Sequence, residues 1–96
     1  MLVIGYWDMD EEVLDDVLAL YKNVDQDRSE GKLNHPKTIS DNYIHCGQTS
    51  GFRLFGVEDP VQLENMRYYY HPYMKWSFEP KIKAEESIKA YLMSKK

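Results

Sequence analysis

Leu2-Val3-Ile4-Gly5-Tyr6-Trp7 is apolar at odd and even positions alike. A strand with one face in water alternates apolar with polar residues, so this one is expected in the middle of a sheet, covered on both sides. Asp8-Met9-Asp10-Glu11 follows, with a side-chain cap and acids where a helix N-terminus favours them. Val13, Leu14, Val17, Leu18, Leu20, Tyr21 and Val24 recur at helical spacing and predict a helix over 10–24. Residues 25–36, with Gly31 and Pro36 as breakers, read as a polar loop.

Thr38 to Cys46 reads as a second strand and Phe52 to Val57 as a third, joined by the loop Gly47-Gln48-Thr49-Ser50-Gly51. Asp59 and Pro60 announce another helix, Asp59 as cap and Pro60 at its first position, and Pro72 ends it. Met74 to Lys83 alternates as a half-buried strand whose Pro80 belongs on an edge, and Glu85 to Met93 closes the chain as a helix. The order β-α-β-β-α-β plus a tail helix is the split βαβ of ferredoxin-like domains, an α+β class. Right-handed crossovers then give an antiparallel sheet of order 4-1-3-2 with both main helices on one face. Residues 1–96 make one such domain.

Hydrophobic residues at 43% and charged residues at 29% place the chain among globular proteins rather than disordered or fibrous ones. Twelve Lys and Arg against sixteen Asp and Glu leave a net charge of −4, which argues against a nucleic-acid partner. The charge is uneven, with nine of the acids and only Lys22 and Arg28 in the first thirty residues. That acidic stretch reads as a solvated outer face or, alternatively, as a contact surface for a basic partner. The longest apolar run, Leu2 to Trp7, is far short of a membrane span. A single cysteine, Cys46, fits a reducing, cytoplasmic setting without disulfides.

The second hairpin allows a sharper expectation. If Cys46 sits opposite Phe52, then Ile44 meets Leu54 and Asn42 meets Gly56 on one greasy face that the helices should cover. Asp41, Tyr43 and His45 then share the other face with Arg53, Phe55 and Val57, an aromatic and ionisable surface left for an interface or a ligand groove. Tyr68-Tyr69-Tyr70 points the same way: helical neighbours lie ~100° apart, so three rings cover more arc than one packed stripe. At least one of them must be exposed or buried by something outside the chain.

The β-α-β-β-α-β order, Phe52-Arg53-Leu54-Phe55 leading through Glu58-Asp59-Pro60 into a helix, and Trp76-Ser77-Phe78-Glu79-Pro80 together resemble the dimeric α/β-barrel superfamily, in a short branch of unknown function. The resemblance implies a homodimer whose two sheets face each other around a cavity. Other branches include cofactor-independent monooxygenases, haem-degrading enzymes and lactone isomerases. The haem-degrading branch uses an Asn on the first strand with a Trp and a His elsewhere. Leu2 to Trp7 contains no Asn, so that chemistry is not carried over to Trp76 and His71.

The candidate ligand-binding residues are Tyr43, His45, Arg53, Phe55 and Trp76. Histidine titrates near neutrality, guanidinium holds carboxylates in bidentate fashion, and the rings supply apolar contact. Alternatively Arg53 pairs with Asp41 or an acid of the partner chain, and His45 is an interface residue. Arg53 on the helix-covered face would end this expectation of a ligand site. No metal is expected: residues 25–36 mimic the start of an EF-hand loop, but Glu30 stands where glycine is needed and Pro36 where the bidentate glutamate belongs. Cys46 and His45 point to opposite faces of a strand and cannot share an ion. No cofactor is expected either. The leading expectation is a homodimeric binder of a small aromatic or anionic ligand. The alternatives are a cofactor-independent monooxygenase or isomerase on the same scaffold, and a structural or regulatory interaction module, which a cavity filled by side chains would favour.

Overall fold

The apolar opening segment forms β1, Leu2–Met9, in the computed structural model, which describes residues 1–95. β1 pairs antiparallel with β4 (Ser50–Gly56) on one side and with β5 (Met74–Lys81) on the other. Two short strands, β2 (Lys37–Thr38) and β3 (Tyr43–Ile44), both pair with the outer side of β4. The sheet therefore runs β2-β4-β1-β5, with β3 off this path. Its centre is the strand that is apolar on both parities, and Pro80 lies on the edge strand β5, where a missing N–H leaves no ladder bond broken. This α+β layout is consistent with a ferredoxin-like domain.

The first helical region is broken where one helix is predicted. A single 3-10 turn (Glu11–Val13) leads into α1, Leu14–Tyr21, and after Lys22 and Asn23 the chain resumes as α2, Val24–Ser29. Five of the twelve residues of the expected polar loop, 25–29, are thus helical. Asp25 and Asp27 in the first turn of α2 and Arg28 in its last complement the helix dipole, an effect that polar composition hides. Beyond it, Gly31 takes a positive φ of 78°, and the Asp27 carbonyl accepts the amides of Lys32 and Leu33 as the chain turns back.

α3 spans Val61–Tyr70. The Asp59 carboxylate accepts the Val61 amide at 2.9 Å, and the Gln62 side chain reaches back to accept the Glu58 amide at 2.9 Å. Two otherwise orphaned donors are satisfied at the helix start. The tyrosine run resolves as its 100° spacing requires: Tyr70 is 1% exposed, Tyr69 is half-buried with its hydroxyl donating to the Leu20 carbonyl, and Tyr68 is 62% exposed. α4, Ala84–Ser94, buries none of its residues.

Val17, Val24, Leu63, Met66 and Tyr70 of the helices pack on Val3, Trp7, Phe55, Val57 and Met74 in one hydrophobic cluster. Gly5 lies beneath it because a methyl there would strike the Phe55 ring at 2.6 Å and crowd Trp76. This packing overturns the expected faces of the hairpin. Tyr43, not Cys46, stands opposite Phe52, and Ile44 stands opposite Gly51. The offset is three residues, an odd number, so each residue of the second strand changes sides relative to β4. Arg53, Phe55 and Val57 are buried under the helices, while Phe52 and Leu54 lie on the other face with Tyr43. The single strand expected over 38–46 is interrupted because the Ser40 hydroxyl, not a backbone carbonyl, accepts the Leu54 amide at 2.8 Å. Cys46, expected in the greasy face, is exposed just beyond the end of β3.

Candidate functional site

Arg53 sits midway along β4, with its side chain on the helix-covered face and 4% exposed. Its guanidinium carbon lies 4.9 Å from the centre of the Phe55 ring, 5.3 Å from that of Trp76 and 5.7 Å from that of Tyr21. Rings at this range attract a cation through their faces. The polar contacts are poor by comparison: one terminal nitrogen reaches the Met66 sulfur at 3.8 Å, and Nε has no hydrogen-bond partner. None of the ion pairs among the described residues includes Arg53. A buried guanidinium without a carboxylate is costly for the folded protein.

Beside it a cavity of about 220 Å³ opens between α1 and the sheet. Leu14, Val17, Leu18 and Tyr21 line it from the helix, Trp7, Met74 and Trp76 from the sheet and its edge, and Arg53 and Tyr70 complete the lining. The Tyr70 hydroxyl and the Trp76 indole N–H are both buried without partners. Burial pushes the Tyr70 phenol far above its ordinary range, against the opposing pull of the Arg53 charge, so it stays protonated and able to donate. Trp7, in contrast, donates its indole N–H to Asn42 at 2.9 Å, which fixes one rim of the opening. Arg53, whose guanidinium can only donate, is the one charged side chain of an otherwise mostly apolar lining, so the chamber suits a ligand that presents an acceptor.

The five candidate residues divide between the two faces of the sheet. Arg53, Phe55 and Trp76 come together under the helices, where Phe55 meets Trp76 at 5.9 Å between ring centres. Tyr43 and His45 lie on the opposite face, stacked at 5.3 Å and tilted at 6.3 Å against Phe52. His45 Nδ1 is 3.1 Å from the Ser50 hydroxyl, in solvent. The inter-sheet cavity built on Arg53 is therefore withdrawn, since Arg53 faces the helices. Sequence reasoning missed Tyr70, Tyr21 and Trp7 as residues that line the chamber with Arg53. The available signal was Arg53 itself, a charge at an apolar parity once the register is right.

No protein-family model matches the sequence, and no curated protein does. Among solved structures, a crystal structure of an antibiotic biosynthesis monooxygenase is similar in layout, with a TM-score of 0.48 and 12% identity over 86% of this chain and 100% of that one.

Proposed function

We propose that the protein binds a small aromatic or flat apolar molecule with an anionic end, held in the chamber between α1 and the sheet. The observation that carries this reading is Arg53: a guanidinium buried among rings, without a carboxylate, in the lining of an apolar cavity. An anionic ligand supplies the missing partner beside a buried guanidinium, where a charge-assisted hydrogen bond is stronger than in water. An engineered apolar cavity of about 150 Å³ takes up benzene, so about 220 Å³ suits one ring with a short substituent. An open chamber also disfavours the interaction-module reading, which calls for a cavity filled by side chains.

Trp7 and Trp76 line the chamber, so tryptophan fluorescence reports its occupancy. Titration with 2-naphthoate and with 3-phenylpropanoate at neutral pH is expected to saturate, and Arg53→Met to weaken both by at least about tenfold. Saturable binding that Arg53→Met leaves untouched, or no binding of either acid, rejects the reading.

Catalysis on the same scaffold is the second reading, favoured by the presence of Arg53 and a protonated Tyr70 in one chamber lining. An enolate or phenolate oxygen within reach of both would be stabilised there. Isomerisation through such an anion, or its oxygenation by dioxygen without a cofactor, fits that geometry. The homodimer also remains part of the proposal, with Tyr43 and the first strand kept from the expected face and Phe52 and Leu54 in place of Arg53, Phe55 and Val57. Ile4, Tyr6, Phe52, Leu54 and Tyr43 form an apolar outer sheet face, only half-buried or exposed among the described residues. α4 has an unburied apolar side of its own in Ile88, Tyr91 and Leu92.

A further inference from the structure

The chamber adjoins a second, polar cleft of about 480 Å³, and the two share Tyr21, Asn42 and Arg53. The cleft carries four charged side chains: Arg53, Arg28, Asp25 and Asp41. None of them takes part in an ion pair among the described residues, although both signs line the same opening. Arg28, like Arg53, has a buried Nε without a partner. The cleft is thus neutral in sum yet offers unpaired charge of both signs. A simple anion placed there gains from the arginines and loses to the aspartates, and a simple cation does the reverse. A ligand that carries both charges on neighbouring atoms gains from each.

Resting on the binding site above, we propose that the ligand is a free α-amino acid with an aromatic or bulky apolar side chain, recognised as its zwitterion. Its carboxylate meets Arg53 and Arg28, its ammonium meets Asp25 and Asp41, and its side chain enters the chamber. The geometry of an α-amino acid suits this division, because both charges and the side chain branch from one carbon at the junction of the two compartments. Apart from Arg53, no residue lining the chamber is ionised at neutral pH, so charged side chains are excluded from it. The chamber volume fits a benzyl or isobutyl group.

The test compares three probes of one size on the intact protein: L-phenylalanine, 3-phenylpropanoate, which lacks the ammonium, and 2-phenylethylamine, which lacks the carboxylate. L-phenylalanine is expected to bind at least about tenfold more tightly than either. The double variant Asp25→Asn/Asp41→Asn is expected to bring the ratio of L-phenylalanine to 3-phenylpropanoate affinity close to one. Both aspartates are exposed, and circular dichroism confirms the variant's fold. If 3-phenylpropanoate or 2-naphthoate binds as well as L-phenylalanine, the zwitterion is not recognised and only the chamber's anion reading stands. If none of the acids binds, both readings fall.

Discussion

At position 53 a guanidinium occupies a place where packing alone favours a thioether or an isobutyl group. Replacing a buried, poorly partnered charge by an apolar side chain of similar length commonly stabilises a protein. Arg53→Met is therefore expected to raise the unfolding free energy by about 1 kcal/mol or more in urea denaturation, even as it removes ligand binding. A loss of stability would show that the contacts with Phe55, Trp76 and Tyr21 outweigh the desolvation of the charge. A second buried ionisable group, His35, packs edge-on against Tyr69 with ring centres 5.2 Å apart and has no partner at Nδ1. Burial first, and then the charge of Arg53, holds its pKa below the ordinary value of 6.5. The unfolded chain then binds the proton more readily than the folded one, so this contribution to stability is fully present above about pH 6.5 and is lost as pH falls below it. Between pH 7.5 and 5 the melting temperature of the wild type is expected to fall relative to that of His35→Leu, because only the wild type carries this slope.

Element by element, the segments with strong local signals were readable from sequence. Leu2 to Trp7 announced a central strand, the Asp59-Pro60 start was recognisable before α3, and the alternation from Met74 onward marked the edge strand. The pairing of β3 with β4 was not readable, because two devices set it that leave no periodic trace. One is the Ser40 hydroxyl, which takes over a ladder acceptor and breaks the strand. The other is Gly51: a methyl there would collide with the Tyr43 carbonyl and lies 2.6 Å from the Trp7 ring. Glycine at 51 lets β3 approach with Tyr43 opposite Phe52, and that register decides which β3 side chains share a face with Arg53. The candidate site was accordingly half readable, in residue types but not in their grouping. Gly51→Ala is expected to cost about 1–3 kcal/mol on denaturant unfolding, as overpacked sites do, and to weaken ligand binding through the shift of Trp7. Wild-type stability in this variant would mean that β3 is not held against β4 as tightly as its register implies.

Taken whole, the molecule is more extended than a free-standing domain of its length. Its radius of gyration is 15.8 Å and its longest dimension 55 Å, whereas a compact chain of this size has a radius of about 12.5 Å. The accessible surface is 7013 Å², against about 5,800 Å² for a folded monomer of this mass. The excess, about 1,200 Å², exceeds what one partner buries in an interface of ordinary size. Much of the apolar exposure among the described residues lies on two surfaces. One is α4, where Ile88, Tyr91, Leu92 and Met93 are 56–68% exposed. The other is the outer sheet face around Ile4, Phe52 and Leu54. A second copy can cover both at once, its sheet set against this sheet and its α4 against the exposed rim, through one self-complementary contact. The expected result is a dimer by light scattering at micromolar concentration. Ile88→Glu/Leu92→Glu is expected to yield a monomer of unchanged circular dichroism, because neither side chain contributes to the core of its own chain. Those two substitutions leave the chamber between α1 and the sheet intact, so 2-naphthoate binding should persist in the monomer. A wild-type protein that stays monomeric at these concentrations overturns the dimer without touching the binding site.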